Sequence, residues 1–137
     1  MKIIELHKVP KNKIGKFNKN GIKLEPHEEN TAELLTLYGF NIEVIRPINT
    51  PGANNPDILM TGTIWEMKAP RRYNEQTLKN RMRKAARQAG RVVFDLRNLD
   101  IAKEKTKQFV IKLFIGNSDM RRMIIIENDK KVLDFLK

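Results

Sequence analysis

Residues 55–68 read NPDILMTGTIWEMK. Ile58-Leu59-Met60 and Thr63-Ile64-Trp65 are short apolar, β-branched and aromatic runs separated by Thr61-Gly62, the pattern of two antiparallel strands joined by a two-residue loop. With that loop the numbers of facing residues sum to 123. Met60 then opposes Thr63, Leu59 opposes Ile64, Ile58 opposes Trp65 and Asp57 opposes Glu66, with Cβ atoms of such pairs roughly 4.5 to 5.5 Å apart. Side chains alternate along a strand, so Lys68 shares the face of Glu66 and Asp57. The register decides everything here, because a slip of one residue sends Asp57 and Glu66 to opposite faces.

Like charges placed directly opposite destabilise a sheet, so the Asp57–Glu66 pair calls for a cation between the carboxylates. Mg²⁺ suits that place, as a hard ion commonly held by one or two carboxylates together with water and substrate phosphates; Mn²⁺ and Zn²⁺ are alternatives. Two metal-binding carboxylates beside a lysine are the equipment for cutting a phosphodiester.

The net charge of +11 is unevenly spread. Residues 1–24 carry +6, 25–67 carry −6, 68–97 carry +8 and 98–137 carry +3. The acidic block holds the expected metal ligands and both neighbouring blocks are basic, a layout suited to gripping an anionic polymer while a metal acts on one phosphate. A lysine-rich surface that only confers solubility gives the same totals.

At 137 residues the chain has the size of one domain able to bury a core without disulfides. With no cysteine it has no thiolate zinc site and no thiol redox chemistry. No apolar run approaches the roughly 20 residues of a membrane span, and the N-terminus lacks a signal-peptide core, so a soluble domain is expected.

A pass along the chain predicts a basic arm or pair of short strands over residues 1–24, followed by one domain over 25–137. A helix from Pro26 to Tyr38 has proline in its first turn and Gly39 as its stop. A strand at Ile42–Ile45, a loop through Pro47 and Pro51-Gly52, and the hairpin follow. Then come a helix over Asn74–Ala89, a strand over Arg91–Leu96, a helix over Ile101–Ile115, a strand over Met123–Glu127 and a terminal segment around Val132–Phe135. The order α-β-β-β-α-β-α-β predicts an α/β sandwich, a mixed sheet flanked by helices.

In the first helix Glu28, Ala32 and Leu35 share a stripe facing the sheet, while Glu29, Glu33 and Thr36 face outward. Glu28 is thereby a candidate third carboxylate for the metal, although acidic residues are favoured in a first turn for dipole reasons alone. His27 reads as a cap, a phosphate contact or a proton-transfer group. In the second helix Leu78, Met82, Ala85 and Ala89 line one face. Asn80, Arg83, Lys84 and Arg87 crowd the other, with Arg71, Arg72 and Arg91 at its ends, a candidate nucleic-acid grip. Gln88 either caps the sheet or touches substrate, and Trp65 points away from Glu66 into the core. Tyr73 either stacks on a base or packs, and Asp95 with Arg97 reads as an ion pair or a substrate contact.

The pattern Pro56-Asp57, then Glu66-x-Lys68, after a helix carrying Glu28, resembles the PD-(D/E)XK nuclease superfamily, whose core has the order α-β-β-β-α-β. The longer runs HEENTAELLTLYGF, NPDILMTGTIWEMKAP and TLKNRMRKAARQAGRVVFDLR resemble the C-terminal tRNA nuclease toxin domain of contact-dependent growth inhibition CdiA proteins. The resemblance covers about residues 25 to 128. It implies a metal-dependent endonuclease that hydrolyses phosphodiester bonds in RNA, with tRNA preferred over DNA. It also implies neutralisation by a cognate, acidic immunity protein, and action in the cytoplasm of a target cell after delivery as part of a secreted or cell-surface protein. In that scheme Asp57, Glu66 and Glu28 hold the metal, and Lys68 positions the attacking water or stabilises the transition state. Arg71, Arg72, Asn80, Arg83, Lys84, Arg87, Gln88 and Arg97 contact nucleic acid. His27, Gln88 and Asp95 match recurrent positions. Arg71-Arg72 stand where a smaller, glycine-containing turn is expected.

Three other readings fit the same residues. One is a DNA nuclease of a mobile element with the same fold. Another is a metal-independent ribonuclease toxin of the barnase and colicin-like kind, with His27 and Lys68 doing acid–base work on a 2′-hydroxyl. The last is a non-catalytic basic nucleic-acid-binding module in which the carboxylate pair is incidental.

Overall fold

A computed structural model describes residues 1–46 and 57–137. The loop expected through Pro47 and Pro51-Gly52, Pro56 itself, and the side chain of Asp57 lie outside the described residues. The elements are β1 (Lys2–Leu6), a 3₁₀ turn (Lys11–Lys13), β2 (Phe17–Asn18), α1 (Pro26–Leu37), β3 (Ile42–Ile45), β4 (Asp57–Met60), β5 (Thr63–Lys68), α2 (Glu75–Gln88), β6 (Arg91–Asp95), α3 (Lys103–Gly116), β7 (Arg122–Asn128) and β8 (Lys131–Leu136). The strands form one mixed sheet in the order β1-β8-β7-β6-β5-β4-β3-β2. From α1 onward the order is the expected one, with β8 as the terminal segment. The first two dozen residues supply β1 and β2, which occupy the two edges.

Local chemistry explains the boundaries. α1 starts on Pro26, with a reciprocal capping box in which the Glu25 side chain accepts from the backbone of Glu28 and the Glu28 carboxylate accepts from the Glu25 amide at 3.0 Å. It stops at Gly39, whose φ of +94° is open to glycine. α2 is capped by Asn74, whose side-chain oxygen accepts from the Thr77 amide at 3.0 Å. α3 begins two residues later than the apolar pattern indicates: Ile101 is 80% exposed, and Ala102 sits at the cap with a φ of +61°.

Helices cover both faces of the sheet. One apolar cluster joins Ala32, Leu34 and Leu35 of α1 to Trp65, Val93, Ile124 and Ile126. The other joins Leu78, Met82 and Ala85 of α2 and Val110 and Phe114 of α3 to Val92, Phe94, Met123 and Ile125. The alternation of Val92, Val93 and Phe94 between the clusters is the two-residue period of a strand buried on both sides. Each such fully buried side chain contributes roughly 1.5–3 kcal/mol. Thr36 is buried rather than outward-facing; its hydroxyl donates to the Glu33 carbonyl at 2.6 Å and so needs no water.

The hairpin register is the one required by the two-residue loop. Met60 faces Thr63, Leu59 faces Ile64 and Ile58 faces Trp65. Thr61 and Gly62 both adopt positive φ, +57° and +77°, the backbone of a tight turn whose twist matches its strands. Trp65 is buried and donates its indole N–H to the Met60 carbonyl at 2.9 Å, which ties the hairpin to itself.

Candidate active site

β5 sorts its side chains by alternation. Trp65 and Met67 pack toward α1. Glu66 and Lys68 face the other way, in parallel register with Val92 and Phe94 of β6, toward α2. Glu66 is only 6% exposed, a depth at which a carboxylate requires partners. α2 provides them: Arg81 Nη1 lies 2.9 Å from Oε1 and Lys84 Nζ 3.4 Å from Oε2.

A cavity of about 240 Å³ opens over this group, lined by Glu25, His27 and Glu28 from the start of α1, Ile58 from β4, Trp65 to Lys68 from β5, and Arg81 and Lys84 from α2. Glu28 thus reaches the same cavity as Glu66 and Lys68, while its carboxylate also caps α1. His27 lines it too, half-buried, and its backbone carbonyl accepts from the Thr31 hydroxyl. The backbone of Asp57 stands in β4 directly before Ile58, the partner of Trp65; its side chain lies outside the described residues. Burial pushes the Lys68 ammonium below the usual lysine range, and Arg81 pushes it further; Glu66 opposes both. Three cations, Lys68, Arg81 and Lys84, thus gather around one buried carboxylate, in a cavity whose wall also carries Glu25 and Glu28.

The remaining candidates divide by position. Arg71 and Arg72 line a neighbouring cavity of about 430 Å³ that shares His27 and Lys68 with the first. Asn80, Arg83, Arg87 and Gln88 are exposed along α2. Lys84, expected on the outward face, is turned to Glu66. Tyr73 packs edge-on against Phe109 with Lys105 over its ring, and its hydroxyl donates to Glu75, which pushes its pKa up to about 12.

Asp95 and Arg97 stand apart from this cavity and form the ion pair. Asp95 is buried, takes the Thr31 hydroxyl at 2.6 Å, and is held by Arg97 at 2.8 Å. Arg97 also binds Asp129 at 2.9 Å and the Asn30 carbonyl at 3.1 Å, so its donors join the end of β6 to the β7–β8 turn and to α1. Arg81 belongs to no motif and is absent from the candidates that the sequence supplies. Its signal is its place three residues after Leu78 and four before Ala85, a charge inside the buried stripe of α2.

The family profile described as the contact-dependent growth inhibition CdiA C-terminal domain matches residues 54–132, from just before the hairpin into β8. The chain belongs to that family. Glu66, Lys68, Arg81 and Lys84 all fall inside the matched span, as do β4 to β7, whereas α1 with His27 and Glu28 precedes it. Among solved structures the chain is similar to one from a CdiA-CT/CdiI toxin and immunity complex from Burkholderia pseudomallei. The two share 14% identity with a TM-score of 0.62, over 90% of this chain and 100% of that one. At that identity the likeness is one of fold. A comparison with curated protein sequences gives no significant match.

Proposed function

We propose that this CdiA C-terminal domain is a toxin, a metal-dependent endonuclease of PD-(D/E)XK type that cleaves RNA, with tRNA the preferred substrate. The observation that carries the reading is the buried Glu66, ringed by Lys68, Arg81 and Lys84 in a cavity that also receives Glu28 and His27. A helix feeding a three-stranded antiparallel run, then a helix and a parallel strand, is the PD-(D/E)XK core order, and the Glu66-x-Lys68 pair sits on its third strand.

Among the described residues no three acidic or histidine side chains converge on one point, but the oxygen donors present are of the kind a hard divalent cation takes. Glu66 and Glu28 offer only oxygen, and each Glu66 oxygen engaged by a cation retains a second acceptor position. Glu66, Glu28 and, by the hairpin register, Asp57 would hold the ion, with Mg²⁺ favoured and Mn²⁺ or Zn²⁺ as alternatives. Bound there, it supplies Lewis-acid activation of water and screens phosphate charge. Lys68 orients the attacking water and offsets the negative charge of the pentavalent phosphorus. Arg81 and Lys84 hold Glu66 in place and draw the phosphate in. The exposed bases of α2 grip the rest of the strand.

The Burkholderia toxin was solved with an immunity protein, and a cognate immunity protein is the corresponding partner here. A chain carrying +11 suits an acidic one. Action in the cytoplasm of a target cell, after delivery as the C-terminal part of a cell-surface protein, follows from the same reading. A metal-independent ribonuclease is the second reading, favoured by one observation: His27 and Lys68 line the same two cavities, as an acid–base pair must.

The test is a gel assay against total tRNA and plasmid DNA with Mg²⁺, Mn²⁺, Zn²⁺ or EDTA, alongside Glu66→Gln. Discrete tRNA fragments that need metal and fall at least about 100-fold in the variant are expected. Cleavage in EDTA replaces the proposal with the second reading. Metal-dependent nicking of DNA alone keeps the chemistry and changes the substrate, and intact nucleic acid in every lane removes the nuclease.

A further inference from the structure

The cavity carrying Arg71 and Arg72 is unused by the chemistry just described, yet it shares two wall residues with the candidate active site. His27 and Lys68 form the partition, with Lys68 at the end of β5 and His27 in the first turn of α1. Beyond them the second cavity is walled by Ala69 and Pro70, then by Arg71, Arg72, Asn74 and Thr77 as the chain turns into α2. Pro70 is buried and anchors the turn, whereas Arg71 and Arg72 are exposed.

The chemistry of this wall is one-sided. It carries five residues able to present positive charge or N–H donors to an anion, His27, Lys68, Arg71, Arg72 and Asn74, and among the described residues no carboxylate lines it. Among the described residues neither Arg71 nor Arg72 engages an ion pair, in contrast to Arg81, Arg97 and Arg122, each of which is bound to a buried carboxylate. The side-chain oxygen of Asn74 is occupied by the Thr77 amide, which leaves its amide nitrogen to donate outward. An open cavity of about 430 Å³ whose free groups are two guanidiniums, an ammonium and an amide is a receptor for a phosphate oxyanion.

The geometry points to a second phosphate-binding subsite: Arg71 and Arg72 hold the phosphodiester next to the one cleaved, with Lys68 and His27 standing between the two. The inference rests on the nuclease reading for the identity of the first site. A strand whose scissile phosphate enters the smaller cavity continues across the shared partition into the larger one. Binding there fixes the direction in which the strand crosses β5, and so presents the scissile bond to water from one side. Arg71 and Arg72 are in this sense positioning residues. Their contact is with a phosphate and carries no base specificity.

The experiment is a binding cycle run in EDTA, which withholds the metal, with 2′-O-methylated and fluorescently labelled single-stranded oligonucleotides, which lack the 2′-hydroxyl, in which a neutral methylphosphonate replaces one phosphate at a time. In the wild type, neutralising the flanking position lowers affinity about tenfold, the loss expected for a charge-assisted contact to a guanidinium pair. In Arg71→Ala/Arg72→Ala the same replacement costs less than about twofold, because the partner is gone. Arg71→Lys/Arg72→Lys recovers part of the difference, which separates lost charge from lost fold. A double variant that keeps the full tenfold penalty overturns the subsite, as does a wild type indifferent to every neutralised position. Wild-type cleavage measured alongside distinguishes the failures: cleavage without coupling removes only the subsite, whereas absence of both binding and cleavage removes the nuclease reading with it.

Discussion

Glu66 and Lys68 are legible as residues because strand alternation puts positions two apart on one face whatever the rest of the fold does. Arg81 is not, since helical periodicity treats a charge in an apolar stripe as noise until a buried carboxylate is found opposite it. For the same reason the helical pattern assigns Lys84 to solvent. Asp95 and Arg97 are readable as a pair, but only the tertiary structure shows Asp129 and the Asn30 carbonyl absorbing the remaining donors of Arg97. The residue whose chemistry is most directly testable is Lys68. Burial and Arg81 place its proton affinity below the usual lysine range, so its ammonium is lost as pH rises through that lowered value, earlier than for a free lysine. If Lys68 acts as a cation, cleavage declines along the same alkaline limb. Lys68→Arg, whose guanidinium stays charged, is expected to lower kcat about tenfold near neutrality, because its planar fork differs from an ammonium in shape. It is also expected to carry that activity undiminished to higher pH. Rate profiles from about pH 7 to 10 check this; an alkaline limb at the same pH in both proteins would show that another group controls it.

At the scale of elements, the hairpin and the three helices follow from local signals: a two-residue turn, capping residues, and glycine stops. Boundaries depart from the pattern where tertiary packing overrides it. Ile101 looks like the first apolar position of α3 but stands in solvent, and Ala102 accepts a left-handed backbone to begin the helix. The short edge strands β1 and β2 lie in a lysine-rich stretch with little alternation, and their pairing with β8 and β3 is a long-range contact that no nearby residue announces. The junction from α2 to β6 shows how tightly such connections are set. Gly90 has a φ of +73°, and an added Cβ would lie 2.4 Å from the Asp119 carbonyl oxygen. Its own carbonyl accepts from the Arg121 amide at 2.7 Å, so the backbone has no freedom to withdraw. Gly62 has a similar φ of +77°, but a methyl group added there would meet nothing within 4 Å. Gly90→Ala is therefore expected to destabilise by about 2–4 kcal/mol, combining the left-handed penalty with overpacking, and Gly62→Ala by about 1 kcal/mol, the left-handed penalty alone. Urea titration of both variants checks the contrast; equal losses would mean that the Asp119 contact carries no strain.

Across the whole molecule the sheet is stapled by carboxylates that lie among cations, which is how a chain of net charge +11 keeps its helices docked. Glu127 is the clearest case. It stands on β7, 9% exposed, with Lys107 of α3 at 2.9 Å and Lys131 of β8 at 3.4 Å, while Lys103 of α3 donates to its backbone carbonyl at 3.1 Å. Among the described residues its Oε2 has no hydrogen-bond partner of good geometry, and Lys131 is the cation beside it. Burial raises the proton affinity of this carboxyl, and the two lysines more than reverse that, leaving its pKa below the ordinary 4.5. Because the folded value is the lower one, the unfolded chain binds the proton more readily, and stability must fall as the proton goes on. The contribution is fully present above about pH 4.5 and disappears as pH falls through the folded value. Glu127→Gln removes the titration. The difference in unfolding free energy between wild type and variant is expected to be about 1 kcal/mol at pH 6 and to shrink toward pH 3, where the native glutamate is itself neutral. Chemical denaturation of both proteins across that range measures it, and the subtraction cancels every other carboxylate. A difference that stays constant with pH would assign the loss to packing of the amide and leave α3 held to β7 and β8 by its apolar face alone.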